Sequence, residues 1–161
     1  MIILGVDPGT AATGYGVIKV DDLPELIEYG CLRTSSEQEL VERLKVIYHK
    51  IKAIVEKFSP DEIAVEDVFF NQNIKTALSV GQARGVILLA VSFQGAKVFS
   101  YTPLEIKQAI AGYGRARKEQ IQHMLKKILN LSFIPTPDDA SDAIAVALCH
   151  FYSRKLKNKI I

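Results

Sequence analysis

The amino-acid sequence predicts an α/β fold, a mixed five-stranded sheet with helices on both faces. Two observations lead to this prediction. Three strand-like segments open the chain with no helix between them, and from residue 40 onward helical and strand-like segments alternate. The 161 residues are 48% hydrophobic and 24% charged, which is typical of one globular domain. Because no repeat, low-complexity tract or linker divides them, we treat residues 1–161 as a single domain.

The three opening strands are predicted from short apolar and alternating runs. Residues 2–6 are continuously apolar and stop at Asp7, before a Pro-Gly pair, which is typical of a buried central strand. Residues 14–20 and 26–32 alternate between apolar and polar side chains, and the acidic segment between them contains Pro24. We therefore expect an antiparallel hairpin with Pro24 in its turn.

The rest of the chain alternates between helices and strands. Apolar residues at helical spacing predict a helix over 40–58, with Ser36 and Glu39 as a capping box at its start. By the same reasoning we predict strands at 62–66 and 96–101, and helices at 74–92, from Thr102 and Pro103 onward, at 117–129, and from Thr136 through His150. In the helix over 74–92, three small residues allow close packing, against the sheet or against a second copy of the helix: Gly81, Ala83 and Gly85.

The formal net charge of +2 hides a segregation of charge along the chain. Residues 21–42 contain seven acidic residues and one arginine, whereas residues 107–127 contain six basic residues and one glutamate. More basic residues lie at the C-terminus, where we expect a disordered basic tail over about 153–161. A nearly neutral protein therefore still presents a basic face suited to a polyanion.

Several classes of protein are excluded by the sequence. Its longest apolar stretch is far too short for a membrane span, and its first residues lack the pattern of a signal peptide. Cys31 and Cys149 lie far apart without metal-ligand spacing, so we expect buried free thiols in a reducing cytoplasm. His49, His123 and His150 stand alone in helical segments, which predicts packed or surface residues rather than ligands.

Four acidic residues stand where predicted elements begin or end. Asp7 and Glu66 each end a strand, and parallel strands would bring both to one edge of the sheet. Asp139 and Asp142 are three residues apart at the start of the last helix, so they share one face. Carboxylates gathered in this way repel one another unless cations lie between them. The alternative is that Asp139 completes a capping box with Thr136 and that Asp7 is an ordinary turn residue.

A cluster of carboxylates with no cysteine or serine nucleophile fits metal-dependent cleavage of phosphodiesters. Mg²⁺ takes oxygen ligands and favours sites that substrate phosphates complete. Two such ions about 4 Å apart activate a water and stabilise the leaving oxygen. The sequence therefore predicts a two-metal nuclease site.

Longer motifs resemble a known family. An Asp-x-Gly after a first strand also opens the actin-like ATPase and sugar-kinase fold, but those enzymes need two such lobes. The string Gly5-Val6-Asp7-Pro8-Gly9-Thr10, followed by Thr13-Gly14-Tyr15-Gly16-Val17, closely resembles the RuvC family of bacterial Holliday-junction resolvases. The same resemblance extends in order through residues 66–69, 81–86, 107–108, 122–124 and 139–143. It covers the chain from residue 3 to about residue 152.

Membership in that family implies a ribonuclease H-like fold, a homodimer, and paired nicking of four-way DNA junctions with Mg²⁺ or Mn²⁺. It also implies a partnership with the RuvA–RuvB branch-migration complex. The family's catalytic acids and metal ligands correspond to Asp7, Glu66, Asp139 and Asp142. We assign Asp139 rather than its neighbour Asp138 because Asp139 keeps the three-residue spacing to Asp142. Asp138 is then a cap or a solvent-facing residue.

The resemblance also assigns roles to basic and aromatic residues. Lys107 and Lys118 match catalytic positions near the scissile phosphate, where a cation favours the charged transition state. Phe69 matches an aromatic residue that stacks on unpaired bases at the crossover. Arg115 and Arg117 lie in a glycine-containing loop before Lys118, and we expect this loop to follow the DNA backbone. The alternatives are solvated basic residues and a packed phenylalanine.

The sequence thus predicts a structure-selective endonuclease that resolves four-way junctions in DNA recombination and repair. One alternative is another ribonuclease H-like nuclease, which cuts RNA in hybrids or processes transposon ends. A second alternative is a catalytically silent module that binds junctions and whose acids only cap helices and turns.

Overall fold

Five strands form one sheet in the order β3-β2-β1-β4-β5. The computed structural model describes residues 1–68 and 73–154. β1, β2 and β3 pair antiparallel, whereas β4 pairs parallel with β1 and β5 pairs parallel with β4. The strands are β1 (Ile2–Asp7), β2 (Ala12–Val20), β3 (Pro24–Arg33), β4 (Glu62–Glu66) and β5 (Lys97–Tyr101). The predicted mixed five-stranded sheet is confirmed.

Helices cover both faces of the sheet, as predicted. They are α1 (Leu40–Phe58), α2 (Ile74–Ser92), α3 (Pro103–Ala111), α4 (Lys118–Ile128) and α5 (Asp138–Ser153). α1 and α2 share a buried cluster with Leu4 of β1, whereas α3, α4 and α5 share another with Ile3. Successive strand residues point to opposite faces, so these two neighbours belong to different cores.

The parallel pairing of β1 with β4 determines where two candidate site acids lie. The register places Val6 opposite Val65. The next residues, Asp7 and Glu66, are the last of their strands and therefore lie side by side at the carboxyl edge of the sheet. In open α/β sheets this edge is where ligands bind.

Glycines in β1 and β2 allow α5 to lie directly on the sheet. A Cβ atom on Gly5 would collide with the backbone of Ala143, and one on Gly14 would collide with the backbone of Asp139. Any larger residue at these two positions would push the helix away. The close approach brings the first turns of α5 to the end of β1.

At the other end of β4 and α5, a buried histidine is fully hydrogen-bonded. His150 Nδ1 lies 2.8 Å from the Tyr101 hydroxyl, and its Nε2 lies 2.8 Å from Glu62 Oε2. Burial lowers the pKa of His150, although its hydrogen bond to Glu62 opposes the shift. The prediction that this histidine is a packed residue is confirmed, since it is fully buried.

α1 spans residues 40–58 as predicted, but two details predicted next to helix and strand ends are wrong. α1 begins at Leu40 with Glu39 as its N-cap, so Ser36 does not form the expected capping box. Ser35 instead closes a turn, because its side chain and carbonyl accept backbone N–H groups two and three residues later. Pro24 begins β3 rather than lying in the hairpin turn. An edge strand tolerates proline, which has no N–H group to donate.

The starts of α5 and α3 test two further predictions from the sequence. The N-cap of α5 is Pro137, so the reading in which Asp139 completes a capping box with Thr136 is wrong. The helix start predicted at Thr102 and Pro103 is confirmed, because Thr102 is the N-cap of α3 and forms a capping box with Glu105.

The small residues of α2 lie in two environments. Ala83 is fully buried, but Gly81 and Gly85 are exposed, and a Cβ built on either would meet no described atom within 4 Å beyond its chain neighbours and the helix's own backbone. The predicted packing against the sheet is therefore confirmed for Ala83 and wrong for Gly81 and Gly85. With its 19 residues, α2 also matches a membrane-spanning segment in length and composition, as core helices of many soluble proteins do.

Some sequence predictions fall on residues outside the described ranges. The prediction for Phe69 lies outside these ranges, and so does most of the predicted tail, residues 155–161. α5 extends to Ser153, and the N–H of Arg154 donates to the carbonyl of His150, so the tail over about 153–161 stays a prediction. Neither Cys31 nor Cys149 forms a disulfide within the described residues, but only Cys149 is buried, since Cys31 lies on the edge strand β3 and is half-buried.

Candidate active site

Four carboxylates from three elements meet at the carboxyl edge of the sheet. Asp7 ends β1, Glu66 ends β4, and Asp139 and Asp142 lie in the first turns of α5. All four side chains are half-buried. The structure therefore brings together the four acids that the sequence selects.

Asp7 and Glu66 share a hydrogen bond. Burial of Asp7, this hydrogen bond and the negative charges of Glu66, Asp142 and Asp139 raise the pKa of Asp7 to about 9. Burial also raises the pKa of Glu66, although its hydrogen bond with Asp7 opposes the shift. In the absence of a cation, Asp7 therefore keeps a proton at neutral pH and donates it to Glu66.

Lys118 begins α4 and faces the acids of α5. Its Nζ lies 3.0 Å from Asp142 Oδ2 and 3.3 Å from Asp138 Oδ2. Burial alone would lower the pKa of Lys118, but its hydrogen bonds to Asp142 and Asp138 raise it. The lysine therefore stays charged and offsets part of the negative charge of the site.

The adjacent residues Asp138 and Asp139 have different surroundings. The side chain of Asp138 is 62% exposed and accepts a hydrogen bond of 3.0 Å from Gln122 Nε2. Asp139 is half-buried, acts electrostatically on Asp7, and has its Oδ2 3.9 Å from Cys31 Sγ. These positions favour Asp139 as the site residue and Asp138 as its solvent-facing neighbour.

A groove crosses the acid cluster. Its central part, about 490 Å³, is lined by Asp7 and Glu66 and by the first turns of α2. Toward α3 and α4 it adjoins a pocket of about 210 Å³, which Lys107 and Lys118 line together with Glu66.

The other predicted basic residues lie apart from this groove. Arg115 and Arg117 are exposed in the loop before α4, and neither lines the two pockets in the described part of the chain. The structure brings Lys107 and Lys118 to the acids but leaves these two arginines at the periphery.

The donor set of the acid cluster fits a hard divalent cation. Carboxylates supply the oxygen ligands that Mg²⁺ and Mn²⁺ prefer, and such a cation would offset the burial and the repulsion that keep Asp7 protonated. In the present rotamers, no three acidic, histidine or cysteine side chains of residues 1–68 and 73–154 surround one point as ligands. Asp7 is turned to Glu66, and Asp142 is turned to Lys118. Metal binding would therefore require side-chain rotations.

Arg84 is a residue of this site that sequence reasoning missed. From α2, its Nε donates to the backbone oxygen of Glu66 at 3.3 Å, and a terminal nitrogen donates to Ser100 Oγ at 3.0 Å. The same terminal nitrogen lies 3.4 Å from Asp67 Oδ1. These bonds join the end of β4 to β5 and fix the backbone that carries Glu66. Its one sequence signal was its place in the motif at residues 81–86.

The chain matches curated relatives over nearly its whole length. The family model described as "Crossover junction endodeoxyribonuclease RuvC" matches residues 3–150. The protein of that name from Halothermothrix orenii is 53% identical over 160 residues, which cover 99% of this chain and 97% of the relative. The one from Desulfitobacterium hafniense is 51% identical over 161 residues, which cover 99% and 98%.

Solved structures show the same similarity. Thermus thermophilus RuvC in complex with Holliday junction substrate has a TM-score of 0.94 at 34% identity, over 100% of this chain and 99% of that chain. A yeast mitochondrial Holliday junction resolvase, 14% identical with a TM-score of 0.65 over 91% and 77% of the two chains, shares the fold. The predicted ribonuclease H-like fold is confirmed by the match to RuvC. The chain belongs to the RuvC family of crossover junction endodeoxyribonucleases.

Proposed function

We propose that this chain is a structure-selective DNA endonuclease that resolves four-way junctions by nicking two strands of like polarity in recombination and repair. Support comes from full-length similarity to proteins named crossover junction endodeoxyribonuclease RuvC, one of them solved with Holliday junction substrate. The observation in this chain that carries the proposal is the meeting of Asp7, Glu66, Asp139 and Asp142 in one groove beside two lysines.

The four carboxylates are the proposed ligands of two Mg²⁺ ions per site, with Mn²⁺ as a substitute. Such ions supply the charge that activates a water and stabilises the leaving oxygen of a phosphodiester. To ligate them, Asp7 releases the proton that it shares with Glu66, and Asp142 turns from Lys118. Cleavage leaves a 3′-hydroxyl and a 5′-phosphate.

Lys107 and Lys118 stabilise the negative charge of the phosphate that is being cleaved. Both line the pocket next to Glu66, and Lys118 is held there by its ion pairs with the acids of α5. A fixed cation is most useful where charge develops in the transition state. In the same proposal, Arg115 and Arg117 contact the backbone farther along the DNA, and Phe69 stacks on an unpaired base at the crossover.

Paired nicking requires two active sites, which a two-fold symmetric homodimer supplies. Ile74, Leu78 and Leu89 are exposed on α2, and their spacing puts them on one face together with Gly81 and Gly85. We propose that this apolar stripe with two glycines packs against its copy in a second protomer.

A change of oligomeric state tests the dimer. Leu78→Glu places a charge in the stripe, so the protein should run as a monomer in sedimentation while keeping its circular dichroism spectrum. The matched control is Leu23→Glu, since Leu23 is also exposed but lies in the β2–β3 turn. A Leu78→Glu protein that stays dimeric would contradict the proposed interface.

Family similarity also supports a partnership with the RuvA–RuvB branch-migration complex. It supports a location in the cytoplasm as well, where Cys31 and Cys149 would stay reduced.

One cleavage assay tests the proposed activity. Synthetic four-way junction, linear duplex and RNA–DNA hybrid are incubated with the protein, with and without Mg²⁺ or Mn²⁺, beside Asp7→Asn. We expect paired nicks near the crossover of the junction only, and an Asp7→Asn protein that binds the junction without cutting it. Equal cleavage of duplex or hybrid would favour another ribonuclease H-like nuclease. Junction binding without any cutting would favour the silent module.

A further inference from the structure

The groove has a third part, on the side of the acids away from the two site lysines. A pocket of about 450 Å³ adjoins the central part and shares Thr76 and Val80 with it. Arg43 of α1 and Lys75 of α2 line this pocket, and Asp139 lines it as well. Two basic residues from separate helices therefore flank the acids on this side, just as Lys107 and Lys118 do on the other side.

Arg43 is held in a fixed orientation at the pocket. Its Nε donates to Thr34 Oγ1 at 2.8 Å, and Thr34 Oγ1 donates to the carbonyl of Thr10 at 2.6 Å. Because a guanidinium is planar, the hydrogen bond that Nε donates also orients the terminal nitrogens. Within residues 1–68 and 73–154, no acidic side chain pairs with Arg43 or Lys75.

The wall of the pocket is fixed as well. Thr10, in the loop between β1 and β2, is buried, and its hydroxyl donates to the carbonyl of Ser79 at 2.8 Å and also contacts the Ser79 hydroxyl. This loop is thereby tied to α2, whose first turn carries Lys75. The pocket combines a fixed wall with two cations that form no ion pair among the described residues, although Asp139 lines the same pocket.

A strand that places one phosphate over the acids must carry its next phosphates along the groove in both directions. On one side those phosphates meet Lys107 and Lys118. On the other side the continuous groove leads to Arg43 and Lys75, and an unpaired, oriented arginine is suited to bidentate contact with a phosphate.

We propose that the pocket formed by Arg43 and Lys75 binds the backbone phosphate that adjoins the scissile phosphate, on the flank opposite Lys107 and Lys118. This inference rests on the proposed endonuclease function. It assigns a binding site for nucleic-acid phosphate that fixes the position of the cleaved strand in the groove.

The first test is the salt dependence of junction binding without divalent cations. Arg43→Gln and Lys75→Gln should each lower the slope of log affinity against log salt by about 1, as the loss of one phosphate contact does. Lys52→Gln removes the same charge from α1 and should leave the slope unchanged, since Lys52 lies about 13 Å farther along the helix. Because the side chain of Lys75 is exposed, we expect the Lys75 variant to fold normally, so a change in its salt slope reports the lost charge.

The second test asks which phosphate is bound. Neutral methylphosphonates are placed on one flank or the other of both scissile phosphates, and affinities form a cycle with the double variant Arg43→Gln/Lys75→Gln. On the flank that this pocket binds, we expect the modification to weaken junction binding by the wild type and to weaken binding by the double variant little further. On the other flank, the losses of affinity from the modification and from the double variant should add.

Additive losses on both flanks, or unchanged salt slopes in the Arg43 and Lys75 variants, would overturn the inference. A wild type that cuts junctions in the parallel cleavage assay while the variants bind normally would refute this pocket alone. A wild type that cuts no junction would instead refute the proposed function.

Discussion

The two ends of β4 and α5 are built in opposite ways. At one end, half-buried Glu62 of β4 and buried His150 of α5 are hydrogen-bonded to each other, and His150 also shares a hydrogen bond with the Tyr101 hydroxyl. At the other end, Glu66 of β4 and Asp142 of α5 lie in an acidic cluster, where burial and the neighbouring negative charges raise the pKa of Asp7 so that it keeps a proton.

The difference shows that one end of β4 and α5 stabilises the fold and the other end carries the candidate active site. Satisfied buried polar groups stabilise a structure, whereas grouped like charges cost free energy unless a ligand offsets them. The same strand and helix thus anchor the protein at the histidine end and present an unbalanced charge at the groove. Four changes, from the largest expected effect to the smallest, test this comparison.

Glu66→Gln should nearly abolish junction cleavage while junction binding persists. The amide keeps the size of the side chain but removes a charge from the proposed metal ligands. We expect a loss of about 1,000-fold, at the upper end of what removing one group that stabilises the transition state costs. Single-turnover cleavage and fluorescence anisotropy of the same junction measure the two effects. Cleavage within tenfold of wild type would remove Glu66 from the site.

His150→Ala should lower the free energy of unfolding by about 3 kcal/mol, because it leaves a cavity and removes the hydrogen bonds of buried Tyr101 and half-buried Glu62. Urea denaturation measures the change. His123→Ala, at an exposed position of α4, is the control and should change stability by less than about 0.5 kcal/mol. Equal losses of unfolding free energy in both variants would show that the hydrogen bonds of His150 do not stabilise the fold.

Lys118→Ala should reduce cleavage by about tenfold to 100-fold and junction binding by much less. Its ammonium acts on charge that develops at the phosphate rather than on the whole DNA backbone. Lys126→Ala, two turns along α4, serves as the control and should leave the turnover rate near that of wild type. Unchanged turnover in Lys118→Ala would remove this lysine from the proposed chemistry.

Asp7→Asn should stabilise the protein at pH 8 when divalent cations are removed with EDTA. The pKa of Asp7 is raised to about 9 in the folded protein, so folding is favoured while this carboxyl stays protonated. As pH rises from about 4 toward 9, the unfolded chain releases this proton first, and the wild type loses stability relative to the variant.

We expect a difference of about 1 kcal/mol or more at pH 8, and little difference at pH 4, by urea denaturation. A wild type that gains stability relative to Asp7→Asn over this range would contradict the charge imbalance at the groove.

Much of the site followed from local patterns in the sequence. Asp7 and Glu66 end apolar strands, so parallel pairing alone predicts that they share an edge. The spacing of Asp139 and Asp142 likewise predicts one helix face. The wrong capping box at Ser36 shows the limit of such patterns, because the turn at Ser35 uses the same residue types.

Other features depend on partners that are distant in sequence. Gly14 matters because the backbone of Asp139 lies against it, and periodicity does not reveal which helix packs on a strand. The role of Arg84 depends on a backbone carbonyl, which every residue has. The partners of His150 are 49 and 88 residues away along the chain. Tertiary structure alone reveals these contacts.

Mn²⁺ binding tests most directly the claim that the acid end of β4 and α5 is a cation site. The free-ion EPR signal is followed at pH 8 as Mn²⁺ is added to the protein with four-way junction, for wild type and for Asp7→Asn. Because both samples contain the same DNA, their difference reports the protein site. The account predicts that wild type removes clearly more free Mn²⁺ than Asp7→Asn does. Equal Mn²⁺ binding by the two proteins would contradict it.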